Sequence, residues 1–185
     1  MKNIPDSKSG EWSVESFSVS KEESKGTALR AMLHGGRGLV PEGEYKRLKR
    51  GGYIVMSNTP DELRDFSYFV HKASGSVLIN GLGLGCVVFA LLEKENITDI
   101  TVIEKSKDVI NLIAPYINDN RVKIINDDAF TYKPEKNKRF NAVWHDIWDG
   151  ICADNLLEME KLHRKYEHRT DWQDSWCKSE CLRHK

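Results

Sequence analysis

Long apolar runs are missing from this chain of 185 residues, whose mean hydropathy is −0.54. Nothing in it approaches the ~20 consecutive apolar residues of a membrane-spanning helix. The opening Met1-Lys2-Asn3-Ile4-Pro5-Asp6-Ser7-Lys8 lacks the apolar stretch of a secretory signal, so a cytoplasmic setting without a membrane partner is expected. A surplus of either charge is also missing, because Lys plus Arg and Asp plus Glu number 28 each. No global field draws the chain to nucleic acid or to an anionic surface, and nucleic acid is not expected as a partner. Cysteine is scarce: Cys86, Cys152, Cys177 and Cys181 include no C-x2-C pair. Cys177 and Cys181 could share a helix face with His184 nearby, but structural zinc usually takes four tightly paired ligands. Ordinary reduced thiols and no metal are the reading. After Gly150 no β-branched run is left, so a sheet of full length is not expected to continue there.

What is present is organised around Val77-Leu78-Ile79-Asn80-Gly81-Leu82-Gly83-Leu84-Gly85-Cys86-Val87-Val88. An apolar run enters a turn with glycine at every second position, and an apolar segment follows, which reads as strand, tight turn, helix. Such glycines let the backbone approach a ligand closely, and the first amides of the following helix favour an anionic group. Three further buried-strand patterns follow. They are Ile100-Thr101-Val102-Ile103-Glu104, Val122-Lys123-Ile124-Ile125-Asn126-Asp127-Asp128 and Phe140-Asn141-Ala142-Val143-Trp144-His145-Asp146. All three end in a carboxylate, and Glu104 stands 19 residues beyond Gly85, placed to accept hydrogen bonds from ribose hydroxyls. In open α/β sheets ligands bind at the carboxyl ends of the strands.

The rest divides into an expected disordered tail over 1–10, a β-rich amino-terminal cap over 11–57, and a Rossmann-like domain with carboxy-terminal helices over 58–185. Within the cap, Trp12 to Val19 is β-prone with an alternation that slips once, as at a bulge. Lys21 to Lys25 reads as a charged break, and Ala28 to His34 as a short helix ended by Gly35-Gly36. Glu44 to Arg50, Gly51-Gly52 and Tyr53 to Ser57 read as a hairpin with a two-residue turn. The basic residues Lys46, Arg47, Lys49 and Arg50 lack interleaved aromatics and read as a solvated strand face. Asp61 to Ala73 is expected to be a helix started by Thr59-Pro60-Asp61, with its acids either lining a substrate mouth or serving the helix dipole. Asp154 to His168 reads as a helix with Leu156, Met159, Leu162 and Tyr166 inward. Thr170 to Cys177 reads as a second short one, with Trp172 and Trp176 as packing anchors.

On these motifs, residues 57–150 resemble the class I S-adenosylmethionine (SAM)-dependent methyltransferase superfamily, and within it most the polyamine (spermidine) synthase branch. The resemblance implies that Gly81, Leu82, Gly83 and Gly85 surround the methionine part of SAM, and that Glu104 with Lys105 serves the ribose. It implies further that Asp127, Asp128 and Ala129 meet the adenine, and that Asp146 and Asp149 match the paired acids of the synthases' catalytic loop. Thr59 to Phe66 resembles the acidic lead-in before the first strand of that branch. Two positions depart from the pattern. Polyamine synthases carry an acid at the position of Leu84, and many methyltransferases carry one at that of Ile79. Loss of the acid at Leu84 favours SAM with its carboxylate over the decarboxylated form.

The fold class expected is α/β: an abbreviated Rossmann-like sheet with a small amino-terminal β-rich cap and carboxy-terminal helices. Its shortened sheet is completed by the cap strands, by a second copy of the chain in a homodimer, or by terminal helices over its edge. The function expected is SAM-dependent methyl transfer to a small or amine-bearing acceptor, with SAM as methyl donor. The alternatives are aminopropyl transfer and a non-catalytic SAM- or nucleoside-binding module. An amine nucleophile must lose a proton, which makes Asp146 the first candidate base, Asp149 the second and His145 their rival. Trp144 and Trp148 either wall the ligand pocket or pack beneath the cap.

Overall fold

A computed structural model of the chain describes residues 4–33 and 37–183. Alternating residues of β1 (Ser7–Ser9), β2 (Trp12–Val19), β3 (Gly43–Arg50) and β4 (Tyr53–Ser57) form an antiparallel sheet in chain order. Its inner face carries Trp12, Val14 and Leu48 into the main core. Arg50 pairs with Tyr53 across the two-residue turn, as the sequence predicts. Three expectations for this region are corrected. Ser7–Ser9, assigned to a disordered tail, is a strand because Ser7 to Ser9 pair with Val14 to Trp12. The register shift lies between Leu48 and Lys49 of β3, not in β2, which pairs regularly along its length. The charged break is the first turn of α1 (Lys21–Leu33), where Ser20 and Glu23 hydrogen-bond each other's side chain and backbone. That S-x-x-E capping box is legible in the sequence as a helix start. His34, Gly35 and Gly36, read as the end of this helix, lie outside the described residues.

The acidic segment that follows is two short helices, α2 (Pro60–Asp65) and α3 (Ser67–Lys72), rather than one. Phe66, at φ −106° and ψ −1°, breaks them apart and turns its ring into the core. Five parallel strands come next, in the order β7-β6-β5-β8-β9. They are β5 (Gly75–Asn80), β6 (Ile97–Glu104), β7 (Val122–Asn126), β8 (Phe140–His145) and β9 (Thr170–Ser175). The inner ones are apolar on both faces, as a parallel sheet covered by helices requires. Val77, Ile79, Val102 and Trp144 face the main core with α4 (Cys86–Leu92) and α5 (Lys107–Ile113). Leu78, Ile103 and Val143 face the opposite way, onto Leu162 and Tyr166 of α6 (Asn155–Tyr166).

The main correction is β9. Trp172 and Trp176 suggest a helix by their spacing, but Thr170–Ser175 extends the sheet, with Val143 of β8 opposite Gln173. A final short helix, α7 (Lys178–Arg183), follows it, and His184 lies outside the described residues. Among the described residues no helix is long and apolar enough to cross a membrane. The chain runs outward from β5 to β7 and then returns to the other side of β5, so the order reverses between β5 and β8. In doubly wound sheets that reversal opens the crevice in which ligands bind.

Candidate functional site

A cavity of about 610 Å³ occupies that crevice. The glycine loop, Glu104, Lys105, Asp128 and Ala129 line it from the parallel sheet, while Trp12, Leu48, Arg50 and Met56 close it from the antiparallel sheet. The size is that of sites for nucleotide-sized ligands.

The loop is shaped by what lies against it. Gly81, at φ +100°, abuts Asp146: a Cβ here would lie 1.9 Å from the Asp146 carbonyl oxygen. Gly83, at φ +51°, sits under Met56, whose Sδ would be 2.3 Å from a Cβ. Only glycine supplies both the backbone conformation and the clearance. The same Sδ accepts the Leu84 amide at 3.1 Å. Gly85 belongs to the loop but does not line the cavity. The Leu84 side chain is 1% exposed and packed in the core, so the absence of an acid there does not set the charge of the cavity.

At the tip of β6, Glu104 is pinned by two amides, Leu82 N–H at 2.8 Å and Ser106 N–H at 2.7 Å. Burial pushes its carboxyl up, and those amides pull against the shift. Beyond β7, Asp128 pairs with Lys105 at 2.9 Å and accepts the Phe130 amide at 2.8 Å. Lys105 chiefly, with that amide, holds it below the usual carboxylate range. Asp127 turns away, accepting from the Asp128 amide and Thr131, and does not line the cavity.

Past β8 the acids gather. Asp146 lines the cavity wall partly exposed, yet crowding pushes its carboxyl up to about 7, by burial first and then by Glu62. Glu62 of α2 lines the same cavity and is pushed up to about 7, by burial and then by Asp65. Glu62 thus stands both in the first turn of α2, where an acid suits the helix dipole, and on the cavity wall. Asp149 also lines the cavity and pairs with Arg50. Trp148 lines it too, its indole N–H donating to Glu158 at 2.7 Å. Trp176, read as a packing anchor, lines it from beyond β9.

The structure does not bring His145 to this group. It is fully buried on the α6 side of β8, with Nδ1 2.8 Å from the Asn80 amide nitrogen and Nε2 3.1 Å from Gln173 Oε1. Gln173 donates its own amide to the His163 carbonyl, which leaves its oxygen for an Nε2–H and fixes a neutral ring. Burial holds its pKa down at about 3, so it is a core histidine and not a base for the cavity. Trp144 packs at a tilt against Phe69, ring centroids 5.0 Å apart, within the core. Its indole N–H, outside hydrogen-bonding geometry, still counters part of the Asp146 shift. The basic residues of β3 are each met by an acid: Lys46 by Asp6, Arg47 and Lys49 by Glu15, and Arg50 by Asp149. Cys177 is a thiol donating to Asp65 at 3.3 Å, and none of the four cysteines forms a disulfide.

No family model matches the chain. Its curated relatives include the polyamine aminopropyltransferase of Hydrogenobaculum sp. (strain Y04AAS1), 25% identical in an alignment 103 residues long that covers 52% of this chain and 37% of that protein. Polyamine aminopropyltransferase 1 of Streptomyces coelicolor is 31% identical in an alignment 121 residues long that covers 58% of this chain and 23% of that protein. The matches thus span about a quarter to two-fifths of those relatives. Among solved structures, spermidine synthase from Thermotoga maritima superposes with a TM-score of 0.53 at 14% identity, over 90% of this chain and 52% of that one. The chain has the fold of that synthase, and its sequence likeness is to the polyamine synthase branch named from the motifs.

Proposed function

We propose that the chain is a SAM-dependent transferase that methylates a small or amine-bearing acceptor. The observation that carries this is the pairing of a glycine cradle with two partly exposed, protonatable acids, Asp146 and Glu62, on one cavity wall. The residues suit the donor in strand order. Asp128 and Ala129 beyond β7 would meet the adenine, Glu104 at β6 the ribose, and the loop after β5 the methionine chain, with Asp146 at β8 beside the sulfonium. A bound sulfonium supplies an electrophilic carbon; what remains for the protein is orientation and proton removal. Once ionised, at and above about pH 7, Glu62 and Asp146 attract the acceptor's ammonium form, and the Asp146 carboxylate takes its proton, freeing the nitrogen lone pair to displace the sulfide from the methyl carbon. Trp12, Leu48 and Met56 keep bulk water from the reacting centre.

The names of the curated relatives favour a second reading, aminopropyl transfer, on the same residues. Incubation with methyl-labelled SAM and a panel of small amines separates the two. The methyl reading expects labelled amine, and a fall of about 10²–10⁴-fold in kcat for Asp146→Asn, as loss of a general base gives. Product from decarboxylated SAM alone would transfer the assignment to aminopropyl chemistry. Binding without turnover on either donor would leave a binding module.

A further inference from the structure

Three cationic side chains line the cavity among the described residues: Arg50, Lys105 and Lys107. Lys105 is committed to Asp128 at 2.9 Å, and Lys107 opens α5, so both belong to the β6–β7 end. Arg50 is held instead from the β8 side, through Asp149. It reaches in from the tip of the β3–β4 hairpin, lies over the Trp12 ring at 5.4 Å, and pairs with Asp149 three residues beyond Asp146. If adenine and ribose occupy the β7 and β6 positions, the amino-acid end of the donor points to Arg50.

We infer that Arg50 selects the donor, by exchanging the Asp149 carboxylate for the carboxylate of the donor's methionine moiety. The inference rests on the donor reading of the cavity given above and adds which form of donor the chain takes. Arg50 and Asp149 are each nearly half exposed, 45% and 44%, so neither is locked by burial. The guanidinium loses a carboxylate held through a single nitrogen, Nη2, and gains one that its planar fork is shaped to bind bidentately. A decarboxylated donor offers no such exchange and brings an uncompensated ammonium towards the guanidinium. The exchange also frees Asp149 at the acceptor's side of the cavity, so a carboxylate-bearing donor prepares the site for a cationic acceptor. Leu84, buried in the core, plays no part in this choice.

The test is titration of the full chain with S-adenosylhomocysteine and with 5′-methylthioadenosine, which lacks the amino-acid end. Wild type is expected to prefer S-adenosylhomocysteine by about tenfold or more, the size of a charge-assisted bidentate contact. Arg50→Gln should remove that preference while leaving methylthioadenosine affinity within about twofold, and Arg50→Lys should restore part of it. Asp149→Asn gives a result of opposite sign that no folding defect can mimic: S-adenosylhomocysteine binds more tightly because its rival carboxylate is gone. Equal losses for both ligands in Arg50→Gln, or none, would overturn the role of Arg50 while the methylthioadenosine signal upholds the donor site. No binding of either ligand to wild type would overturn the donor reading and this inference together.

Discussion

Gly81 and Asp146 meet backbone to backbone across the point where the strand order reverses, at a distance that leaves no room for a Cβ between them. The contact continues the β5–β8 ladder, in which the Asp146 amide donates to the Asn80 carbonyl at 2.8 Å. It therefore fixes the acidic loop against the glycine loop along one seam.

Gly81→Ala puts a methyl group into that seam at a φ that L-residues avoid. Strain and overpacking together should cost about 2–4 kcal/mol, or roughly 4–16 °C in Tm for a chain of this size. Thermal unfolding followed by circular dichroism checks it. An unchanged Tm would mean that the seam yields without cost.

The two raised acids give the stability a definite pH dependence. In the folded chain Glu62 and Asp146 hold their protons to about pH 7, against ordinary values of 4.5 and 3.8. The unfolded chain releases those protons between about pH 4 and 5, so the stability they contribute is fully present below that range and lost as pH rises through 7. Asp146→Asn cannot ionise and should flatten the decline, as denaturant midpoints from pH 5 to 8 would show. Comparing the two proteins also cancels His145, whose lowered pKa acts in the opposite sense below its unfolded value. Identical slopes would mean that Asp146 ionises at its ordinary pH.

His145→Ala separates fold from site. It opens a space in the core and strands Asn80 and Gln173, so a loss of about 2–5 kcal/mol in stability is expected. Affinity for an adenosyl ligand should stay within about twofold at a temperature where the variant is folded, since the ring lies outside the cavity. A stable variant that had lost the ligand would return His145 to the site.

The four thiols should sort by burial. Cys152 is exposed, while Cys86, Cys177 and Cys181 are buried, and burial pushes the Cys86 thiol up to about 12. Burial, followed by Asp65, also raises the Cys177 pKa. A thiol reagent under native conditions should therefore label one cysteine quickly, and Cys152→Ser should abolish that fast phase. More than one fast thiol would show that the segments around α4 or α7 open readily.

Much of this architecture was legible because it rests on local signals. Strands β5 to β8 announce themselves as apolar runs, the last three ending in acids, and the glycine spacing after β5 marks the turn that faces Asp146. Strand β9 was not legible, since Thr170-Asp171-Trp172-Gln173-Asp174-Ser175 is polar and becomes a strand through its pairing with β8. The Ser20–Glu23 capping box was present in the sequence and went unread beneath the density of charge around it. At the site, Glu104, Asp128 and Asp146 stand at strand ends where the sequence puts them. Glu62, Met56, Trp12 and Arg50 could not be placed, because they reach the cavity from α2 and the antiparallel sheet, and no spacing in the chain encodes how that sheet seats on the parallel one. His145 was ambiguous for a simpler reason. It neighbours Asp146, and only the alternation of the strand, with Gln173 waiting on the far face, sends it into the core.

The most direct test of the donor site is calorimetric titration with S-adenosylhomocysteine of wild type and of Glu104→Ala, the residue whose carboxylate is held ready by Leu82 and Ser106. Saturable binding to wild type that weakens by about tenfold or more in the variant is the expected result, the loss of charge-assisted bonds to ribose hydroxyls. No binding to wild type, or equal binding to both proteins, would contradict the account.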